Sequence, residues 1–512
     1  VTETSAKARY DELKIRREPF LRRARECSSL TIPSLIPPEG HNPSMVLPQP
    51  EQGLGSRLVV SLASRLMTAL LPPGRNCLRL GISPEALLET GADAVPEDLE
   101  IAMVKTERLI HMEIERKAWR QPTNMSLQHL IVGGNVVEYL QPDNTIRIFR
   151  FDQFVVVRSP SGEEVEFVIA DDLDPDALSP SLKALYETST PPQASAAARR
   201  VTLYTWGVRA GDRWTVHQEL GETKVPKSSG RYQHSSLPFL FLRWQAVAGE
   251  DYGRSKVEEH LPDLKTLDGF QKALRDGVAM ASRNITLIRP NAAAGLNLRR
   301  KIARANNGEY VIGNPEDVNM LQFANTTGIQ VTQTELALLR QELSAAFLMQ
   351  QSGVRDAERV TATEIRMVAQ ELEGVLGGTY SMLSQEMLSR RVNRLIYQMQ
   401  AKGGLPEWPE GTIEPVILTG LEALGREAQM QNVVAALQML GAVKPEIQEE
   451  YVKWPVLLKK GFNGLNLSDA VNTEGEAQAI RAQRAQTQML TDAVGAAAGP
   501  LANAAAGQMA PA

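Results

Sequence analysis

The residues best suited to chemistry are scattered rather than clustered. The six histidines stand at positions 41, 111, 129, 217, 234 and 260. None falls in an HExxH pattern or another close metal-ligand spacing, so each reads as an ordinary structural histidine. Gly133-Gly134-Asn135 follows an apolar run and could cradle a phosphate. It lacks both the Lys-Ser/Thr of a P-loop and GxGxxG spacing, and a tight turn is the better reading. No serine sits in a GxSxG elbow, and Cys27 and Cys77 form no CxxC pair. The expectation is a protein with no catalytic residue, no cofactor site and no metal site, and not an enzyme.

Two groups of cations remain. Arg299, Arg300, Lys301 and Arg304 concentrate positive charge within six positions, either as a solvated surface or as a docking surface. Arg355 and Arg359 lie in a polar stretch around Gly353, either as a helix lead-in with Asp356 and Glu358 pairing locally or as an exposed contact.

The elements that position these residues can be read from periodicity. Residues 5–27 form a charged helix expected to break near Pro19, and its alternating charges suit a solvated face. A Pro- and Gly-rich loop then leads to a helix over residues 55–71, stopped by Pro72-Pro73-Gly74. Residues 95–140 read as mainly helical, with Leu130, Ile131, Val136 and Val137 buried. From 145 to 244 short apolar runs recur at 146–149, 154–157, 166–169, 201–206, 214–217 and 239–244, with turns at 159–162 and 210–212. This is a β-rich module with a polar insertion over 171–198.

Beyond it, Leu261, Leu264, Leu267, Phe270, Leu274, Val278 and Ala281 make the stripe of a helix running to 283. Strand-like runs at 285–288 and 310–312 follow, then a helix over 332–350 with Leu339, Leu343 and Phe347 at helical spacing. Two helices separated by a small α/β excursion can lie side by side with the excursion at their far end. A further helix opens on a capping box, Thr361 to Glu364, bends at Gly377-Gly378 and runs to 400. Residues 401–415 read as a loop, 424–441 and 474–494 as helices, and the Ala-, Gly- and Pro-rich end as an oligomer cap or a disordered tail.

Composition bounds the whole. With 512 residues and 43% hydrophobic content the chain can bury several cores, in two to four units. A net charge of −5 argues against a protein that grips nucleic acid over its whole surface, though not against one that DNA passes through. The polar start shows no secretory leader, and the longest apolar stretch, 58–71, is too short and too interrupted to span a membrane. A soluble protein in a reducing compartment is expected.

Several segments carry a resemblance. Residues 249–255 (Gly-Glu-Asp-Tyr-Gly-Arg-Ser) and 257–263 (Val-Glu-Glu-His-Leu-Pro-Asp) resemble the wing-to-stem junction of portal proteins from podoviruses, the short-tailed phages that encode their own RNA polymerase. Residues 357–366, 371–373 and 376–380 resemble the same family after its second stem helix. Residues 23–27, 31–33, 130–135, 308–311 and 419–425 add support, in family order from about 9 to 430.

The resemblance implies an α+β portal fold assembled as a ring. Its parts would be an N-terminal arm and first wing part (1–255), stem helix 1 (256–283), a small α/β clip (284–330), stem helix 2 (331–350), a tunnel loop with second wing part (351–420), and a helical crown with mobile tail (421–512). It further implies a homo-oligomer of twelve copies at one capsid vertex, forming the channel for packaging and ejection of double-stranded DNA. Partners would be the major capsid protein and scaffold, the terminase and then the tail adaptor, with no membrane. The protein would reside in the virion after assembly in the host cytoplasm. Arg355 and Arg359 would line the channel, Arg299, Arg300, Lys301 and Arg304 would form the clip docking surface, and Leu264, Leu267, Leu274, Leu339 and Leu343 would pack the stem. The alternatives are another virion protein, an adaptor or internal core protein, and a nucleic-acid enzyme.

Overall fold

The structure, a computed structural model, describes residues 5–42, 44–72, 78–82, 97–189, 200–281, 285–288, 300, 304, 318–321, 326–349, 362–376, 378–405, 415–419, 479–487 and 489. The chain divides into two compact units, residues 1–95 with 103–421, and residues 96–102 with 422–512. In the second unit the described residues are the start of one helix, 479–487 (also helical) and 489.

The first unit opens with α1 (Ala6–Ser29), capped by the Ser5 side chain. Contrary to expectation the helix runs unbroken through Pro19. The carbonyl that Pro19 cannot serve belongs to Ile15, and both residues are exposed, where water can satisfy it. Nor is α1 solvated all round. Ala6, Tyr10 and Leu13 pack on Val155, Val168 and Tyr204 of a sheet, while Leu21, Ala24 and Cys27 enter the main core.

The main core gathers α2 (Leu54–Leu70), α3 (Glu97–Arg116) and α4 (Arg120–Gly133). The segment expected to be helical to 140 turns at Gly134, so Val136 and Val137 lie on a strand, β2 (Asn135–Leu140). Their β-branched side chains suit a strand better than a helix. β1 (Leu78–Ile82) precedes α3, and β3 (Ile146–Phe149) follows β2.

The β-rich module is all antiparallel. β4 (Phe154–Arg158), β5 (Glu164–Leu173), β6 (Val201–Ala210), β7 (Arg213–Leu220) and β8 (Thr223–Lys224) lie in sequence order, and β9 (Gly230–Gln233) also pairs with β7. Left-handed Gly162 and Gly211 stand in the two predicted hairpin turns. β10 (Phe239–Arg243) pairs with β2, giving the sheet order β10-β2-β3. The polar insertion contains a helix, α5 (Pro180–Ser189).

A short α6 (Lys256–Glu259) leads into α7 (Leu261–Ala281). The excursion carries β11 (Ile285–Ile288), which pairs with β12 (Val318–Leu321); the expected strand at 310–312 lies outside the described residues. α8 (Thr326–Ala346) starts and stops earlier than its expected 332–350. Arg340 on α8 donates to Gln271 on α7 at 2.6 Å, and His260 meets Phe347 at 5.4 Å, so the helices run antiparallel.

α9 (Ala362–Leu376) follows, and Gly378, at φ 85°, makes the predicted bend. α10 (Thr379–Leu383), a π-helical turn (Ser384–Ser389) and α11 (Arg390–Ala401) carry the chain back to the core. The supposed loop to 415 ends in β13 (Pro415–Thr419), the partner of β1. The predicted helix at 424–441 and the capping Thr361 lie outside the described residues.

Candidate functional site: the junction at the base of the helix pair

Segments far apart in the chain meet where α7 leaves the body. Gly134 sits in the left-handed region at φ 72°, and a Cβ there would come within 2.8 Å of the Gly253 carbonyl oxygen. Only glycine fits. The tight turn read from Gly133-Gly134-Asn135 is therefore real, and what it cradles is backbone. Asn135 accepts from the Gly253 N–H at 2.8 Å and donates to the Gly253 carbonyl at 2.9 Å. The Trp244 N–H donates to Gly134, and the Arg254 N–H to Gln245, both at 2.9 Å.

The 249–255 segment is held on every side. The Tyr252 ring is buried against Phe20 and Phe151, at 5.3 and 5.2 Å, and its hydroxyl accepts from the Val156 N–H. Asp251 accepts from the Arg158 N–H at 2.8 Å. Ser255 caps α6 by accepting from the Glu258 N–H at 2.9 Å and points its hydroxyl at Cys27. Burial pushes the Cys27 thiol up to about 12, so it stays protonated and unreactive at neutral pH. Arg254 forks to Glu250 and Glu258, at 2.5 and 2.7 Å, over the Phe20 ring. Those two carboxylates hold its pKa above the ordinary value.

Three further ties run along α7. Lys265 pairs with Glu26 at 2.6 Å, Asp268 accepts from the Gln52 N–H at 3.2 Å, and Arg275 pairs with Glu51 at 2.9 Å. The N-terminal segment thus straps the helix as far as Arg275. Behind the junction, Glu164 is buried between Arg158 (2.9 Å) and Arg390 (3.4 Å). Burial pushes its pKa up, but Arg390 and Arg158 outweigh that and hold it below the usual carboxylate range. Arg391 forms a fully buried two-bond pair with Glu138 and donates to Thr123 at 2.8 Å. These pairs join α11 to the first half of the chain.

The arrangement fixes where α7 leaves the body. Among the described residues no group of three His, Cys, Asp or Glu could hold a metal ion. Burial, together with nearby Arg150, lowers His129 to about 4, which keeps it neutral. Among the described residues no helix is long and apolar enough to cross a membrane.

Of the residues singled out from the sequence, Leu264, Leu267 and Leu343 are fully buried, and Leu274 and Leu339 pack partly buried against the same core. Arg300 and Arg304 are helical and exposed. Arg299, Lys301, Arg355 and Arg359 lie outside the described residues. The sequence reading missed the buried pairs Arg391–Glu138 and Arg158–Glu164. The one usable signal was charge inside strand patterns, as at Glu138 within an otherwise apolar run.

The class follows from the comparison with known families: the chain belongs to the bacteriophage head to tail connecting protein family, whose model matches residues 3–469. Its individual relatives are more particular. The portal protein of Escherichia phage T7 is 32% identical over 494 residues, covering 94% of this chain and 91% of that protein. The portal protein of Enterobacteria phage T3 is 32% identical over 505 residues, covering 97% and 94%. That of Pseudomonas phage phiKMV is 25% identical over 516 residues, covering 96% and 98%. A solved structure described as the neck of an empty GTA particle shows a loose likeness, with 12% identity and a TM-score of 0.39, covering 75% of this chain and 87% of that one.

Proposed function

We propose that this chain is the portal of a short-tailed phage: a ring-forming connector at one capsid vertex, through which double-stranded DNA is packaged and later ejected. The carrying observation is the near-full-length likeness to portal proteins. The antiparallel pair α7 and α8, with a β11–β12 ladder between them in sequence, supports the division into parts. On this reading α7 and α8 form the stem, packed by Leu264, Leu267, Leu274, Leu339 and Leu343. Residues 284–330 are the clip, residues 1–255 and 351–420 the arm and wing, and 421–512 the crown. The junction described above fixes the stem on the wing.

A ring of twelve repeats each side chain twelve times. Arg355 and Arg359 become rings of positive charge in the channel that touch phosphates transiently. Twelve copies at −5 each give a formal charge of about −60, which keeps the duplex from sticking. Arg299, Arg300, Lys301 and Arg304 form the clip surface that docks the terminase and then the tail adaptor. Capsid protein and scaffold surround the ring as it assembles in the host cytoplasm. The portal itself hydrolyses nothing.

Electron microscopy and native mass on one purified sample test this. The expected result is rings with a central hole and a mass near twelve times 56.3 kDa, about 676 kDa. A monomer or dimer that resists assembly across salt conditions contradicts the reading. For the channel residues, Arg355→Glu with Arg359→Glu is expected to allow rings but impair DNA packaging; normal packaging removes those two arginines from the lumen.

A further inference from the structure

Arg394 on α11 is only 8% exposed, yet it pairs with no carboxylate among the described residues. Its Nη1 donates to the Ser236 carbonyl at 2.9 Å, and its buried Nε has no hydrogen-bond partner. The guanidinium lies 5.6 Å from the Tyr232 ring centroid and 5.1 Å from that of Tyr397. Arg391, three residues earlier, shows what a completed site looks like on the same helix, with Glu138 and Thr123 around it. Arg17, another buried arginine without a carboxylate, has the same unpartnered Nε, but its Nη1 is met by two backbone carbonyls and the Tyr10 hydroxyl. Among the described residues Arg394 has one oxygen acceptor for five donors. Burial holds its pKa below the ordinary value.

We propose that Arg394, walled by Tyr232 and Tyr397, is the receptor for a carboxylate side chain of a second copy of this chain, filled when the ring closes. The inference rests on the portal reading. With Tyr232 and Tyr397 beside it and only the Ser236 carbonyl accepting from it among the described residues, the guanidinium keeps donors for a two-bond carboxylate contact. Arginine between tyrosines is also the composition of a protein–protein hot spot, and Tyr397 is still 53% exposed in the single chain. A DNA backbone calls for a run of free cations. Here the cations along α11 and at its end are engaged: Arg390 with Glu164, Arg391 with Glu138, and Lys402 with the Pro142 carbonyl. The chain itself supplies acid in excess, 60 Asp and Glu against 55 Lys and Arg. A ring is built on a head-to-tail interface, in which one surface of each copy meets a different surface of the next.

The test compares the full-length parent with Arg394→Gln and Arg394→Lys. Melting temperature is read on dissociated subunits, and the concentration giving half assembly is read by native mass. The expected result is opposite behaviour in the two states. R394Q leaves subunit melting unchanged or raised, because an uncompensated buried cation is gone, and raises the half-assembly concentration roughly tenfold or more. R394K, which keeps charge without the fork, recovers part of the assembly. Lower subunit melting with unchanged assembly would make Arg394 an internal structural residue and overturn the proposal. So would R394Q rings of parental stability that bind a short DNA duplex more weakly, since phosphate would then be the occupant. A parent that never forms rings contradicts the portal reading; equal assembly of parent and R394Q contradicts the niche alone.

Discussion

The near and far ends of α7 are built on different terms. At the junction, Leu264 and Leu267 are fully buried, and polar ties from Glu26 and Gln52 flank them. Further along the same stripe Phe270 is 38% exposed and Val278 48%, and Met280 beside them reaches 60%. On α8, Val331 and Leu338 are exposed, whereas Leu336 and Leu343 are buried, as is Phe347 just past its end. The sequence pattern does not change along the helix; what changes is how much of the stripe this chain covers, which falls off beyond Leu274. The near half is finished within one subunit. The far half displays apolar surface of the kind that marks an interaction site, and under the portal reading the neighbouring stems cover it.

The sharpest way to break the comparison is at the body's buried charge. Glu138→Ala leaves Arg391 buried without its counter-ion and is expected to destabilise the subunit by about 3–5 kcal/mol, read by urea unfolding. An equal loss of stability at an exposed charge pair would remove the distinction. Leu264→Ala comes next, at about 2–5 kcal/mol, whereas Phe270→Ala on the same stripe is expected to cost the isolated subunit less than about 1 kcal/mol and to weaken rings instead. Equal costs in the isolated subunit would show that the far half is also self-packed.

Acid probes the body from a different side. The pKa of His129 is lowered from 6.5 to about 4, so the folded state favours its neutral form. Its contribution is complete above about pH 6.5 and is lost as pH falls through about 4, because the unfolded chain takes up the proton first. The difference amounts to up to about 3 kcal/mol. His129→Gln is expected to flatten the stability–pH curve in that window, and an unchanged curve contradicts the burial argument. Glu164, whose pKa is lowered, adds loss at still lower pH. The smallest effect belongs to Lys265→Ala: its pair with Glu26 is half-exposed on both sides and is expected to contribute no more than about 1 kcal/mol, further reduced by salt.

Local patterns were legible and distant ones were not. Alternation and turn residues located β3 to β7 and β10, and the leucine stripes located α7 and α8, because these signals sit within a few residues. Pro19 misled because its freed carbonyl, on Ile15, is exposed to water, which lowers the cost of keeping the helix through it. Val136 and Val137 misled because a short apolar run fits helix and strand alike until Gly134 decides it. The β1–β13 pairing and the Arg391–Glu138 pair, the latter separated by 253 positions, leave no local mark. The same holds for the junction. Gly134, Asn135 and the 249–255 segment each stood out as a motif, but that they clasp one another is a property of the fold.

The most direct measurement is amide hydrogen exchange on rings and on dissociated subunits, followed along α7 and α8. In the subunit, residues 276–281 and 326–334 are expected to exchange faster than 261–268 and 340–346. In the ring that difference is expected to vanish as neighbouring copies cover the far half. The same gradient in both states would contradict the claim that the helix pair is completed by its neighbours.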